Sequence, residues 1–259
     1  MWYRLIVPVK HYLRSTSPLA FAHRGGIQDF PENSLSAFKG AHALGFTYME
    51  TDVHATKDQK LVAFHDHRLD RVTQAKGNIS DFDYADLAKI LVDGDEPIPL
   101  LEDLLEEIPE AKFNIDPKHD AAVEPLIDVI IKTNSVNRVC VGSFSDERIK
   151  SVATAIGPDL CTGMGPKSIS KIQLSKVTKN LLRAPYGDCA QVPSRVKGVQ
   201  FITREFVKRA HNLGKVVHAW TINDVDEMEY LLDLGVDGIM TDNLLALKSV
   251  FLSRGIWSE

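Results

Sequence analysis

Residues 22–66 read AHRGGIQDFPENSLSAFKGAHALGFTYMETDVHATKDQKLVAFHD, and ionisable residues stand at the ends of three apolar runs in this stretch. His23 ends the first run, Glu50 and Asp52 lie at the end of the second, and His65 ends the third. Ionisable side chains that gather at the ends of neighbouring strands are typical of functional sites. The stretch therefore predicts an active site built on strand ends.

Runs typical of β-strands alternate with helix-like segments along the chain, which is the pattern of βα units around a parallel sheet. Strands are predicted at 18–23, 47–55, 60–66, 111–118, 138–144, 159–165, 215–223 and 237–242. The stretch that contains DCAQVP and GVQFIT is ambiguous. Eight strands without a G-x-G-x-x-G fingerprint favour an α/β fold of the single-domain (β/α)8 TIM-barrel type over an open doubly wound sheet. In a barrel the active site lies at the C-terminal ends of the strands.

Helices are predicted between the strands, at 34–44, 121–132, 145–155, 203–213, 225–234 and 243–252. Asn33 is the expected N-cap of the first helix and Gly45 its stop, because these residue types suit those positions. A further helix is expected to extend from the sixth predicted strand to about Arg183.

The length of 259 residues suits one barrel of this kind, which typically takes about 250 residues. No linker rich in Pro, Gly or Ser divides the chain. We therefore expect an N-terminal extension at residues 1–17 and one barrel domain at residues 18–259. Trp2 and Tyr3 could touch a membrane surface, or this segment could be a strand or arm that closes one end of the barrel.

The formal net charge of −5 argues against a general nucleic-acid-binding protein, which usually needs a basic surface. The cysteines, Cys140, Cys161 and Cys189, form no C-x-x-C pair, so neither a disulfide framework nor a thiolate zinc site is predicted. No apolar run approaches the length of about 18 residues that a membrane span needs, so stable membrane insertion is not expected. The expected location is a reducing cytoplasm.

Three carboxylates could bind one divalent cation. Glu50 and Asp52 stand at positions i and i+2 of a predicted strand, so their side chains project to the same face. Asp116 ends another predicted strand and could complete an oxygen site of the kind that suits Mg2+ or Ca2+, and Mn2+ also accepts such ligands. The alternative is that these acidic residues face solvent or form salt bridges at a strand edge.

Basic and titratable residues flank these carboxylates in the sequence. His23 and His65 end predicted strands, and an imidazole can move a proton near neutral pH. The planar guanidinium of Arg24 can donate two hydrogen bonds to phosphate oxygens. The ammonium of Lys118 could neutralise another phosphate oxygen; the alternative is that Lys118 is a surface lysine. Two proton carriers around a cation site indicate acid-base cleavage of a phosphodiester.

The motifs HRGG, PENS, ETD, HD, NIDPK, AWTIN and GVDGIMTD occur in this order from about residue 18 onward. The set resembles the glycerophosphodiester phosphodiesterases. The resemblance implies a TIM barrel that hydrolyses a glycerophosphodiester, a small-molecule substrate, to glycerol 3-phosphate and an alcohol. By resemblance, the catalytic residues are His23 and His65, the metal ligands are Glu50, Asp52 and Asp116, the phosphate is bound by Arg24 and Lys118, and Glu32 and Trp220 lie near the substrate.

One motif departs from the family, which usually has N-I-E-x-K where residues 114–118 read NIDPK. Asp116 is one methylene shorter than the glutamate, so the third ligand must approach through a backbone shift or coordinate through water. The identity of the metal is therefore left open by this motif, although the class of reaction is not.

The sequence says less about the walls of the substrate site and about the oligomeric state. Trp220 either caps the barrel core or forms an apolar wall against the substrate, together with Phe144 and Met164. The head group, the acid and base roles of the two histidines, and the choice between direct hydrolysis and a cyclic phosphate intermediate stay open. A homodimer through the outer helices is a weak expectation for a barrel enzyme.

Two other functions compete with this hypothesis. His65 and His67 could form an H-x-H metal pair with Asp242 as a base, as in amidohydrolases, but the middle strands lack the further histidines that such a site needs. A barrel that binds glycerophosphodiesters or lipid head groups without cleaving them would be expected to lack one proton carrier. Both His23 and His65 are present.

Overall fold

Eight parallel strands form a nearly closed barrel in the computed structural model, which describes residues 10–27, 30–174 and 185–257. The strands are β1 Leu19–His23, β2 Tyr48–Ala55, β3 Lys112–Pro117, β4 Val139–Val141, β5 Cys161–Thr162, β6 Cys189–Pro193, β7 Val216–Trp220 and β8 Gly238–Thr241. Hydrogen bonds link them in the order β5-β4-β3-β2-β1-β8-β7-β6, and a parallel bridge between Gly163 and Cys189 joins the two remaining edges. The structure confirms the predicted single-domain TIM barrel.

Most of the helices surround the barrel, because they bury an apolar face against the outside of the strands. Phe38, Leu126 and Phe206 are fully buried in this shared core. Within the described ranges, none of the helices is both long and apolar enough to cross a bilayer. The helices are α1 Leu35–Ala43, α2 Tyr84–Leu87, α3 Leu101–Glu107, α4 Val123–Lys132, α5 Asp146–Ile156, α6 Pro166–Leu174, α7 Arg204–Asn212, α8 Val225–Leu234 and α9 Leu244–Ser253.

The six helices with predicted bounds occur in the structure, each with ends within two residues of the prediction. The N-cap of α1 is Ser34 rather than the predicted Asn33, since the Ser34 hydroxyl accepts a hydrogen bond from the backbone N–H of Ala37. The expected continuation of α6 to Arg183 falls at residues 175–183, outside the described residues.

The predicted strand at 60–66 is not a barrel strand. Leu61–Ala63 pairs antiparallel with β2, with Ala63 opposite Val53. The turn between these two strands is short, whereas a parallel crossover needs about a dozen residues or more, so the chain reverses as a hairpin. The eighth barrel strand comes instead from the ambiguous stretch, where Cys189–Pro193 pairs with β7 in parallel.

The segment between this hairpin and α3 folds over a small core of its own, beside the C-terminal ends of β2 and β3. This segment carries His65, Asp66 and Arg71 at its start. Burial of the apolar residues of this segment fixes its backbone, and the fixed backbone positions the three polar residues. The buried core residues are Val62, Phe64, Leu69, Ile79, Leu87, Val92 and Ile98.

Tyr12 closes the N-terminal end of the barrel interior. Its side chain is buried against the rings of the interior, with the Tyr48 ring edge-on at a centroid distance of 5.3 Å. Its carbonyl oxygen accepts hydrogen bonds from the Tyr48 hydroxyl at 2.7 Å and from Lys112 Nζ at 3.1 Å. Tyr12 therefore anchors this segment in the barrel, while Trp2 and Tyr3 lie outside the described residues.

Three free cysteines, Cys140, Cys161 and Cys189, lie inside the barrel next to this ring cluster. Each comes from a different strand, and Sγ of Cys140 lies 3.7 Å from Sγ of Cys189. Burial raises the pKa of the Cys140 and Cys161 thiols, so both are uncharged at neutral pH. These two neutral thiols pack as small apolar residues.

Candidate active site

A cavity of about 850 Å3 opens at the C-terminal ends of the barrel strands. Its lining contains nine of the ten residues that the sequence predicts for the site. Only Glu32 is missing from the lining in the part of the chain that the structure describes. The nine are His23, Arg24, Glu50, Asp52, His65, Asp116, Lys118, Phe144 and Trp220.

Strand register explains why these residues meet. Side chains at i and i+2 of a strand point to the same face, here the barrel interior. Glu50 lies beside His23 of β1, and Asp52 lies directly beside Asp116 of β3. Residues that are more than 60 positions apart in the sequence therefore form one carboxylate cluster.

The tight turn after β1 brings Arg24 to this cluster. Arg24, Gly25 and Gly26 all have positive φ angles, at 52°, 82° and 83°. A Cβ atom on Gly25 would lie 2.7 Å from Cβ of Ala37, so only glycine fits between the turn and α1. The backbone N–H of Arg24 donates to the Glu50 backbone carbonyl at 2.9 Å, which fixes the turn on β2.

Two cationic side chains share the carboxylates. Lys118 Nζ lies 2.5 Å from Asp52 Oδ1 and 3.0 Å from Asp116 Oδ2, and Arg24 Nε lies 3.4 Å from Asp52 Oδ2. Burial lowers the pKa of Lys118, but the charges of Asp52 and Asp116 outweigh it and raise that pKa overall. Lys118 is therefore a charged, half-buried group that is held by both aspartates.

The cluster still lacks positive charge. Burial, followed by the negative charge of Asp52, raises the pKa of Glu50 to about 7. Burial likewise raises the pKa of Asp116, although the charge of Lys118 opposes the shift. Oδ2 of Asp52 and Oδ1 of Asp116 are buried and accept no hydrogen bond. Buried carboxylate oxygens that accept no hydrogen bond are costly, and a hard divalent cation would satisfy them.

His23 is held by a carboxylate from the opposite end of the chain. Its Nδ1 donates to Oδ1 of Asp242 at 2.6 Å, and its Nε2 lies 3.6 Å from Oε2 of Glu50. Burial lowers the pKa of His23, but Glu50 and Asp242 outweigh that effect and raise it overall. Asn223 donates to the other oxygen of Asp242 at 2.9 Å and fixes its orientation.

His65 has the same arrangement with a neighbour in the sequence. Its Nδ1 donates to Oδ1 of Asp66 at 2.6 Å, and Arg71 Nε donates to Oδ2 of Asp66 at 2.5 Å. Arg71 also donates to both oxygens of Glu32, at 3.0 and 2.6 Å. Nη1 of Arg24 donates to Oε1 of Glu32 at 3.2 Å. Glu32 thus connects the arginine beside the carboxylates to the arginine that orients the His65 pair.

Sequence reasoning missed Asp66, Arg71 and Asn223 and gave Asp242 a role only in the amidohydrolase hypothesis. A signal was present for Asp66, which follows His65 directly in FHD, since catalytic imidazoles commonly bond to a carboxylate. Asn223 is the last residue of the AWTIN motif, whereas the sequence offers no comparable signal for Arg71. Their positions depend on the fold of the segment after β2 and on the pairing of β7 with β8.

One wall of the cavity is apolar. The Phe144 and Trp220 rings meet edge to face, with centroids 5.9 Å apart and planes at 84°. The Phe144 side chain is 71% exposed, which is unusual for an aromatic ring and places it at the rim. The wall continues through Met164, Pro166, Ile169, Leu174, Val192, Val196 and Phe201.

The H-x-H pair of the amidohydrolase hypothesis does not form in the structure. His65 bonds to Asp66, whereas Nδ1 of His67 lies 3.1 Å from Nε2 of His119. Asp242, the base in that hypothesis, bonds to His23 instead. The two histidines of the pair therefore belong to different groups of residues.

A family model described as the glycerophosphoryl diester phosphodiesterase family matches residues 23–246. A relative from Mycobacterium tuberculosis, named probable glycerophosphodiester phosphodiesterase 2, is 37% identical and covers 96% of this chain and 97% of its own length. A lysophospholipase D from Rattus norvegicus is 25% identical and covers 88% of this chain and 84% of its own length.

Solved structures resemble the barrel over most of its length. A glycerophosphodiester phosphodiesterase from Agrobacterium tumefaciens has a TM-score of 0.72 at 20% identity, covering 90% of this chain and 99% of its own. A phosphodiesterase from Oleispira antarctica, solved with the product sn-glycerol-3-phosphate, has a TM-score of 0.75 at 23% identity and covers 91% and 97%. At these identities the similarity supports the shared fold.

Proposed function

This chain belongs to the glycerophosphoryl diester phosphodiesterase family and is a phosphoric diester hydrolase, and we propose that two histidines and one divalent cation carry out its reaction. The reaction is the hydrolysis of a glycerophosphodiester to glycerol 3-phosphate and an alcohol. The observation that carries the proposal is that His23 and His65 line the same cavity, each with a carboxylate on Nδ1 at 2.6 Å.

Glu50, Asp52 and Asp116 would hold the cation, which we propose to be Mg2+ or Ca2+, with Mn2+ as a further candidate. One buried oxygen each of Asp52 and Asp116 accepts no hydrogen bond, and this and the raised pKa of Glu50 support the assignment. When bound, the cation supplies a Lewis acid for the phosphoryl oxygens. Lys118 bridges two of the proposed ligands, with its Nζ 2.5 Å from Asp52 and 3.0 Å from Asp116.

Arg24 and Lys118 would bind the phosphate of the substrate. Both side chains line the cavity and both already contact Asp52, so they are positioned before substrate arrives. Guanidinium and ammonium donors stabilise the charge that develops on phosphoryl oxygens in the transition state. Glu32 would act by holding Arg24 rather than by touching the substrate, because it contacts Arg24 and Arg71.

The two imidazoles would transfer the protons. The carboxylate on each Nδ1 sets the tautomer and leaves Nε2 as the atom that exchanges a proton. One imidazole takes a proton from the nucleophile, either water or the glycerol hydroxyl of the substrate. The other gives a proton to the departing alkoxide, and this acid-base work typically contributes about 10²- to 10⁴-fold to the rate.

The apolar wall supports a second candidate substrate, a lysophospholipid. Phe144, Leu174 and Val196 line the cavity and are 71%, 59% and 44% exposed, so an acyl chain could lie against them. Deacylated diesters such as glycerophosphocholine would not use this surface. Comparing kcat/KM for glycerophosphocholine and lysophosphatidylcholine on one enzyme preparation would decide between the two substrate classes.

The test of the proposed reaction is release of glycerol 3-phosphate from a panel of diesters with Mg2+, Ca2+ and Mn2+. We expect EDTA and His23→Ala each to abolish the activity, whereas His11→Ala, which changes an exposed histidine, should leave it unchanged. A pure protein that binds these diesters but cleaves none with any metal would show a binding barrel instead.

The sequence also predicts the cellular location, the oligomeric state and the domain boundaries of the enzyme. We propose a cytoplasmic enzyme, since Cys140, Cys161 and Cys189 are free and a reducing compartment keeps thiols in that state. The homodimer and the boundary between an extension at 1–17 and the barrel at 18–259 stay predictions. The family match itself begins at residue 23.

A further inference from the structure

We propose that His54, His67 and His119 form a second metal site, for Zn2+ or a similar transition metal, apart from the carboxylate cluster. Each of the three offers one ring nitrogen, and these nitrogens all lie within 4.8 Å of one another. Nδ1 of His67 and Nε2 of His119 are 3.1 Å apart. We call this group the histidine cluster.

The spacing suits a zinc ion after small ring movements. Zinc binds histidine nitrogens at about 2.0–2.1 Å, which places tetrahedral ligands about 3.3 Å from one another. The pair at 3.1 Å already has this separation, and the remaining distances need to shorten by about 1.5 Å or less to reach it. His67 and His119 are exposed and bond to each other, so we propose that metal binding replaces this bond and turns both rings toward His54.

The hydrogen bonding of His54 prepares it as a ligand. Its Nε2 lies 3.1 Å from the backbone carbonyl oxygen of His65, which can only accept, so Nε2 carries the proton. Nδ1 of His54 is then the nitrogen with a free lone pair. Metal-binding histidines commonly donate their second ring N–H to a carbonyl or carboxylate, which fixes ring and tautomer.

The donor set separates this site from the proposed active-site cation. Imidazole nitrogens suit Zn2+, Cu2+ and Ni2+, whereas carboxylate oxygens suit Mg2+, Ca2+ and Mn2+. Three histidines with two on the surface also leave a coordination position open to water or an anion. The histidine cluster is therefore chemically selective for a different ion.

The location links the histidine cluster to the active site. Its members come two residues after Asp52, two after His65 and one after Lys118. One ion would thus join the end of β2, the end of β3 and the start of the segment after the hairpin. Binding there would restrain the backbone that carries a proposed metal ligand, a proton carrier and a phosphate-binding lysine.

The experiment is a calorimetric titration of the full chain with Zn2+ in saturating Mg2+, which occupies the carboxylates. Co2+ absorption in the visible range reports the coordination independently of activity. We expect one bound Zn2+, tetrahedral Co2+ bands, and at least about tenfold weaker binding in His67→Ala and in His119→Ala. His11→Ala, an exposed histidine outside the cluster, should bind as the unchanged protein does.

Other outcomes overturn the site. Equal Zn2+ affinity in the double variant His67→Ala/His119→Ala would exclude the histidine cluster, and loss of Zn2+ binding only in Asp116→Asn would place the ion at the carboxylates. Because His67 and His119 are exposed, these variants are expected to fold. The result is independent of whether the enzyme cleaves glycerophosphodiesters.

Discussion

Nδ1 of His23 donates a hydrogen bond to Oδ1 of Asp242 over 2.6 Å, although 219 residues separate the two in the chain. Pairing of β1 with β8 closes the barrel and places the two strand ends side by side. His65 reaches the same geometry with Asp66, the next residue. The cavity thus contains two imidazole–carboxylate pairs, one local and one made by barrel closure.

The first prediction concerns Asp242→Asn, which keeps the shape of the side chain and removes its charge. We expect kcat to fall by about 10²- to 10⁴-fold, because the tautomer of His23 is no longer fixed. Asp242 is one of the groups that raise the pKa of His23, so the limb of the pH–rate profile that reports this histidine should move to lower pH. Steady-state rates across pH check both effects, with the exposed Asp86→Asn as control.

A second prediction separates two effects of Lys118, its competition with the cation for the aspartates and its binding of the phosphate. In Lys118→Met, Asp52 and Asp116 lose their ammonium partner, so a divalent cation should bind more tightly in the absence of substrate. The rate should nevertheless fall by about 10²-fold or more, because a phosphate-binding donor is lost. Calorimetry with Mg2+ and kcat/KM are the measurements, and Lys89→Met, at an exposed surface pair, is the control. Weaker cation binding in Lys118→Met would contradict the competition.

A third prediction tests the departure in NIDPK. Asp116→Glu adds one methylene and lets the carboxylate reach further into the cavity, so Mg2+ or Ca2+ should bind up to about tenfold more tightly, or about 1.4 kcal/mol. Titration with each cation measures the change. Asp128→Glu, on α4, makes the same chemical change away from the cavity and should have no effect. Unchanged affinity in Asp116→Glu would contradict a limit on cation binding set by the shorter side chain.

A fourth prediction concerns the apolar rim. Phe144→Ala removes the edge-to-face contact with Trp220, a contact of about 0.5–1.5 kcal/mol in general. We expect kcat/KM to fall by about 2- to 10-fold for lysophosphatidylcholine and to change little for glycerophosphocholine. Tyr230→Ala on α8 removes another half-exposed ring that does not line the cavity. Equal losses for both substrates would exclude an acyl-binding role of the rim.

A fifth prediction concerns stability against pH at the outside of the barrel. Nε2 of His211 bonds to Oδ2 of Asp237 at 2.7 Å, and this bond raises the pKa of His211 above its usual value of 6.5. The stabilisation is fully present below the unfolded-state pKa and is lost as pH rises through the higher folded-state pKa. His211 is about one-third exposed, so solvent screening limits the effect to about 1 kcal/mol or less.

Urea unfolding of the wild-type protein and of His211→Ala, from below the unfolded-state pKa of His211 to above its folded-state pKa, measures the difference in the free energy of unfolding. The unchanged protein should lose stability as the pH rises past the folded-state pKa of His211, and the variant should lack this component. The backbone N–H of Val217 also donates to Asp237 at 2.7 Å, so Asp237 should stay structured in the variant. Parallel curves for the two proteins would contradict a stabilising charge on His211.

Local patterns were enough to predict most of the barrel and the side chains that face its cavity. The i and i+2 spacing of Glu50 and Asp52 holds for any β-strand, so the sequence alone places them on one face. The same local rules failed at residues 60–66, because an apolar run has the same pattern in a hairpin as in a barrel strand. Only the length of the preceding turn distinguishes the two.

The sequence by itself determined the alternation of strands and helices, the family motifs, and the residues that end the strands, because these depend on short-range periodicity. The tertiary structure decided which residues become partners: Asp242 for His23, Asp52 for Lys118, and His119 for His67. These contacts arise from barrel closure and from strand register, which join positions that no local pattern relates.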